Sequence, residues 1–162
     1  MNERTVEGVR LSNPDKVLYP EQGITKSDLA DHYVAVADWM LPHVALRPIT
    51  MVRCPTGRQK NCFYQRHAGS GVPKQIEKVV IPRFDKPYLF IRDLAGLIAL
   101  VQIGVLEIHP WPVTTRYPDR PDRLIFDLDP AEGLGFAAVV AAAVEVRERL
   151  ALLGLLSVVK TT

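Results

Sequence analysis

The run from Leu94 to Leu106 constrains the fold more than any other part of this chain. It is the longest apolar stretch in the sequence. Asp93 stands where it can cap a helix reaching to about Ile103. That helix would be apolar nearly all round, and such a helix has to be buried. It is too short to cross a bilayer, which takes about 20 apolar residues. The rest of the chain must therefore supply its cover. With 162 residues, 48% hydrophobic and 23% charged, the chain can form one domain or part of a larger one. The same balance excludes wholesale disorder.

The cover is expected from interleaved helices and strands. Thr25 to Leu41 reads as an amphipathic helix, with Leu29, Tyr33, Val36 or Ala37, and Met40 at helical spacing. Thr25 and Asp28 form a capping pair, and Pro42 supplies a stop. Strands are expected over Pro48 to Arg53, Cys62 to Arg66, Ile76 to Pro82, Tyr88 to Ile91, Val105 to His109, Leu124 to Asp129 and Leu155 to Lys160. The proline-rich segment from Pro110 to Arg123 reads as a loop. A long helix runs from Phe136 to Leu153, stopped by Gly154. This order predicts an α/β or mixed α+β fold, with a mixed sheet flanked by helices.

Charge and cysteine content narrow the setting. The net charge is +2 and the pI about 8.6, too mild to announce nucleic-acid binding by itself. Lysine and arginine nevertheless concentrate between Arg47 and Arg92. Cys54 and Cys62 do not make a secreted disulfide framework and read as reduced thiols. The first residues carry no apolar signal core. A cytoplasmic protein without membrane attachment is expected.

Asp127 and Asp129 carry the sharpest chemistry. At the end of a strand, residues two apart share a face, with α-carbons roughly 7 Å apart. Two carboxylates so placed suit one or two Mg²⁺ or Mn²⁺ ions, which prefer oxygen ligands. The alternative is a solvated turn, with Asp129 before Pro130 initiating it. His109 ends another strand and would face the carboxylates if the two strands were neighbours; otherwise it is a hydrogen-bonded histidine at a strand end. Lys16 and Lys26 flank a turn-rich segment, and Lys26 falls in a first helical turn. A cation opposes the helix dipole there unless an anion is held at that terminus by the lysine and free backbone N–H groups. Two solvated lysines are the plainer reading. Phe63 and Tyr64 are adjacent aromatics among Arg53, Arg58, Lys60 and Arg66. One ring could be core and the other could stack on a nucleobase. Cys54, Cys62, His67 and His109 lack the paired spacing of a structural zinc site.

Six ordered blocks resemble bacterial DNA ligase D polymerase domains, members of the archaeo-eukaryotic primase superfamily. They are Leu11 to Pro20 followed by Ile24-Thr25-Lys26, Val52 to Pro55, Cys62 to His67, Asp93 to Leu97, Gly104 to Trp111, and Pro121 to Pro130. The likeness runs from about Val9 to Thr161. It implies an incomplete primase-polymerase-like domain that extends and fills DNA ends in non-homologous end joining, often from ribonucleotides. By the resemblance, Asp127 and Asp129 match the first two metal-binding carboxylates, for Mn²⁺ or Mg²⁺. Lys16 and Lys26, with Asn13 beside them, match residues that hold the 5′-phosphate of the downstream strand. Phe63 matches an aromatic that stacks on template DNA, and Tyr64 stands where a second phenylalanine is usual. Arg53 and His109 match positions near the active site.

Past Lys160 and Thr161 the family continues with a Ser-Gly-Gly-Lys-Gly-x-His block that contacts the nucleotide, and later with a third aspartate. The chain from residue 1 to Thr162 is thus expected to be the N-terminal part of such a domain without its remaining catalytic part. Expected partners are DNA ends with a 5′-phosphate, nucleoside triphosphates, a Ku-type end-binding protein and a ligase. A catalytically impaired module that binds 5′-phosphorylated ends is the alternative.

Overall fold

The computed structural model describes residues 2–160, so Thr161 and Thr162 lie outside the described residues. It contains two compact units, Met1–Arg123 and Leu124–Thr162. The element order is β1 (Glu3–Val6), β2 (Val9–Ser12), β3 (Val17–Tyr19), β4 (Ile24–Thr25), α1 (Lys26–Val44), β5 (Ile49–Arg53), β6 (Phe63–Gln65), β7 (Glu77–Val79), β8 (Tyr88–Phe90), α2 (Leu94–Gln102), β9 (Val105–Pro110) and α3 (Phe136–Leu152). This is the mixed α/β fold expected. Every strand pair among the described residues is antiparallel.

The first unit is built around α2. Asp93 caps it, its carboxylate accepting from Gly96 N–H at 3.0 Å. Leu97, Ile98, Leu100 and Val101 are fully buried, as an all-round apolar helix requires. One core joins them to Leu11 and Leu18 of the N-terminal hairpins, to Leu29 and Tyr33 of α1, and to Ile49 and Met51 of β5. In α1 the Thr25–Asp28 capping box forms as the spacing predicts. Pro42 does not end the helix but sits inside its last turn. Pro42 is exposed, so the carbonyl it leaves unbonded can take water.

The β1–β2 hairpin was not foreseen from sequence. Its turn places Glu7 and Gly8 at φ 49° and 72°, the left-handed pair of a tight two-residue hairpin loop. In the five-stranded sheet β5 is central. One side of β5 pairs with β9 throughout, Ile49 opposite Pro110 and Arg53 opposite Val105. The other side pairs with β6, and at Ile49 with β8, which β7 flanks.

One expectation about the first unit needs correction. The cysteines are not reduced thiols: Cys54 and Cys62 are joined by a disulfide. The register explains it. Arg53 opposite Phe63 places the residue just after β5 opposite the residue before β6, with α-carbons 4.3 Å apart. Gly104 then packs against the start of this bridged loop, its carbonyl accepting from Cys54 N–H at 2.7 Å. Gly104 has φ +75°, and an added Cβ would meet the Pro55 backbone at 3.0 Å. Gly104→Ala is expected to cost about 2 kcal/mol through strain and crowding, read as a lowered urea midpoint.

In the second unit, α3 forms over almost the expected range, and Gly154 at φ +73° ends it. The two strands expected in this unit do not form. Neither the segment 124–129 nor 155–160 is assigned to a strand, and Leu124, Ile125 and Phe126 are exposed. A strand needs a partner for its backbone groups, and among the described residues none pairs with either segment. No helix of the described residues is long and apolar enough to cross a membrane.

Candidate nucleic-acid and metal site

β5 sorts the aromatic and basic candidates onto two faces. Arg53 lies opposite Phe63 and Val52 opposite Tyr64, so alternation sends Phe63 and Tyr64 to different sides. Neither ring is core: Phe63 is 46% exposed and Tyr64 74%, so the expected split of one buried and one free does not hold. Arg53 lies over the Phe63 ring, its Cζ 5.4 Å from the centroid. It also donates to Gln65 Oε1 at 2.8 Å and to Ile103 O at 3.0 Å. Partial burial pulls its pKa down from the ordinary arginine value. Arg53 therefore braces the Phe63 platform and the end of α2 together.

The other face carries Tyr64, Glu107 and His109. His109 Nε2 lies 3.0 Å from Glu107 Oε2, and the Tyr64 and His109 ring centroids are 6.3 Å apart. A cavity of about 430 Å³ opens here between Tyr19, Val52, Arg58, the Cys54–Cys62 bridge and Glu107. Glu107 was missed as a candidate. Its position two residues before His109 in a strand was the signal, since such residues share a face.

Lys26 is 6% exposed. Its ammonium donates to Ser12 O at 2.9 Å, Gln102 O at 3.2 Å and Gln102 Oε1 at 3.3 Å. It thus sits at the C-terminal end of α2, where a helix dipole favours a cation. Lys16 donates from its Nζ to Pro55 O. The pKa of Lys26 is lowered, first by burial and then by the charge of Lys16. No carboxylate among the described residues pairs with either ammonium. Asn13, at φ +52° and exposed, shapes the turn beside them.

One expectation about this region fails. The first amides of α1 are not free to bind an anion. Lys26 N–H donates to Lys16 O at 2.8 Å and Ser27 N–H to Pro14 O at 2.9 Å, while Asp28 N–H donates to Thr25 Oγ1 at 3.2 Å. The cationic character here comes from the lysine side chains alone.

Asp127 and Asp129 lie in the second unit. Both are exposed, and Leu128 between them is half-buried. Neither carboxylate makes a hydrogen bond or ion pair among the described residues. With no strand at 124–129, the alternation argument for a shared face loses its basis. Among the described residues β9 pairs with β5 alone, and His109 has the hydrogen-bonded strand-end setting that is its alternative reading. As donors, two unpaired carboxylates fit a hard divalent cation. They offer at most four of the roughly six oxygens that an octahedral Mg²⁺ or Mn²⁺ takes. No group of three or more acidic, histidine or cysteine side chains gathers among the described residues.

The chain is similar to known proteins along most of its length. Residues 25–162 match the family described as LigD, primase-polymerase domain. The multifunctional non-homologous end joining protein LigD of Mycolicibacterium smegmatis is 37% identical over 145 residues, covering 87% of this chain and 19% of that protein. The LigD protein of Mycobacterium tuberculosis is 35% identical over 167 residues, covering 97% of this chain and 22% of that protein. The bifunctional LigD of Bacillus subtilis is 26% identical over 149 residues, covering 92% and 24%. The solved polymerase domain of M. tuberculosis ligase D in complex with DNA superposes with a TM-score of 0.77 at 35% identity, over 90% of this chain and 54% of that one. The chain thus spans about a fifth of the curated relatives and about half of the solved domain. With its apolar α2, the β5-centred sheet and the two lysines in one unit, and a family match reaching through the aspartates, the chain belongs to the LigD primase-polymerase family.

Proposed function

We propose that the chain is the N-terminal part of a nucleotidyltransferase-type repair polymerase. It adds nucleotides to DNA 3′ ends in non-homologous end joining, in the cytoplasm at the nucleoid. Its likeness to a DNA-bound polymerase domain over nine tenths of its length carries this reading. Asp127 and Asp129 hold Mn²⁺ or Mg²⁺ together with oxygens from other groups. When bound there, such an ion would supply Lewis-acid activation of a 3′-hydroxyl and charge stabilisation at the leaving phosphate. Phe63, braced by Arg53, offers an exposed ring to a template base, and Tyr64 offers a second on the opposite face. His109, on the Tyr64 face with Glu107, is assigned a role in the active site by its place in the family-like order. Nucleoside triphosphates, including ribonucleotides, are the substrates; a Ku-type protein and a ligase are the partners in end joining. The test is nucleotide addition to a gapped, 5′-phosphorylated DNA with Mn²⁺ or Mg²⁺ and a chelator control. Binding without addition would select the second reading.

That second reading is a module for 5′-phosphorylated DNA ends. What favours it is a pair of neighbouring ammonium groups, one buried, with no acidic partner among the described residues (a charge state an anion would relieve). Lys16, Lys26 and Asn13 form this phosphate seat. A fluorescence titration with recessed DNA ends is expected to show tighter binding when the 5′ end is phosphorylated. Lys16→Ala is expected to reduce that preference about tenfold, the worth of a charge-assisted hydrogen bond. Affinity should also fall steeply with salt as phosphate contacts release counterions. Equal affinity for the two ends would remove the assignment.

A further inference from the structure

A buried ammonium is ordinarily met by a carboxylate, because burying an unpaired charge is costly. Lys26 is instead held by neutral groups, and one residue supplies two of its three acceptors. Gln102, the last residue of α2, is half-buried. Its Oε1 accepts from Lys26 Nζ at 3.3 Å and from Ser12 N–H at 2.9 Å. Its Nε2 donates to Ser12 Oγ at 2.9 Å, and its backbone carbonyl accepts from Lys26 as well. The amide orientation is fixed by chemistry, since an ammonium and a backbone N–H can only donate. One residue therefore ties the lysine to the strand end that leads into the Asn13 turn, and does so without cancelling the charge.

We propose that Gln102 is a positioning residue for the 5′-phosphate seat, anchoring the Lys26 ammonium through a neutral amide so that its positive charge stays available to the DNA end. This rests on the end-binding reading above. A glutamate would fit the same space and keep the acceptor at Oε1. It would also pair with Lys26 and set a negative charge against an incoming phosphate. Neutrality at position 102, rather than shape, is thus the property that matters.

The test compares the 162-residue chain with Gln102→Glu and Gln102→Met. Affinity is measured for recessed DNA with and without a 5′-phosphate, and each variant is melted to confirm folding. The wild-type chain should prefer the phosphorylated end. Gln102→Glu should cut that preference about tenfold or more, the effect of one close opposing charge, with unphosphorylated binding changed far less and no fall in melting temperature. Gln102→Met, neutral and similar in length, should keep the preference within about threefold, because the ammonium retains Ser12 O and Gln102 O. Should Gln102→Glu not fold, Gln102→Asp carries the same charge on a shorter stem and is read the same way. An unchanged preference in the acidic variant overturns the proposal while leaving the phosphate seat intact. Equal losses in the acidic and methionine variants overturn it too, since they would reveal a merely structural role. A wild-type chain with no preference overturns the end-binding reading itself.

Discussion

Replacing Asp127 and Asp129 together by alanine is expected to abolish metal-dependent nucleotide addition. A catalytic metal supplies several kcal/mol of transition-state stabilisation, and each 1.4 kcal/mol is tenfold in rate, so the loss should be on the order of a thousandfold. Both side chains are exposed and have no partner among the described residues, so the fold should be unaffected and the melting temperature unchanged. The measurement is primer extension with Mn²⁺ or Mg²⁺ under single-turnover conditions. Phosphate-dependent DNA binding should survive, because the lysine seat belongs to the other unit. Extension by the double variant at the wild-type rate would end the metal-ligand assignment.

The largest effect on stability is expected at Asp122. Arg47 is nearly buried, its side chain 5% exposed, and Asp122 Oδ2 meets it at 2.5 Å. A second bond joins Arg47 to Asp122 Oδ1 at 2.8 Å, and a third reaches Trp111 O at 3.3 Å. The forked pair fastens the start of β5 to the loop after β9. Asp122→Ala leaves a guanidinium buried without its counterion. The cost should be about 2–3 kcal/mol, below the usual 3–5 for a buried pair because Asp122 itself is 47% exposed to screening water. The pair also makes stability depend on pH. The hydrogen bond and charge of Arg47 hold the Asp122 carboxyl below its ordinary 3.8. A depressed carboxyl stabilises the fold above the unfolded value, and that contribution disappears as pH falls through the lower folded value. Urea melts from neutral to acid pH should show the decline in the wild-type chain and a weaker one in Asp122→Ala. Parallel curves would refute the coupling.

Local signals carried much of the fold. The Thr25–Asp28 box, the Asp93 cap and the all-round apolar character of α2 are short-range features, and each element formed as they require. The β1–β2 hairpin escaped notice because its turn is Glu7-Gly8, less distinctive than an Asn-Gly pair. The segments 124–129 and 155–160 show why strands resist sequence reading. Apolar, β-branched runs state a propensity, but a strand exists only with a partner, and that is a property of the whole structure. The Cys54–Cys62 bridge was hidden for the same reason: it depends on the β5–β6 register, which neither cysteine's neighbours reveal.

The candidate site was legible to different depths. The lysines, aromatics and acidic pair were visible as residue types in family-like order. What they touch was not. Lys26 looked misplaced at a helix N-terminus, yet its ammonium reaches the C-terminal end of α2, a helix distant in sequence. Gln102 was the one polar residue closing an apolar helix, a hint that gains meaning only from Ser12 and Lys26 around it.

The position of β5 also bears on how the chain is made. Its two edges are completed at different times during synthesis, because β6 follows it closely while β9 ends only at Pro110. At about 5–20 residues per second, the interval between Arg53 and Pro110 lasts several seconds. Throughout that interval the nascent chain carries an apolar strand with one unpaired edge, a template for mispairing with other chains. The emerging polypeptide is therefore at greatest risk of aggregation before β9 appears, and substitutions that delay β9 docking should lower soluble yield in cells without altering the folded protein.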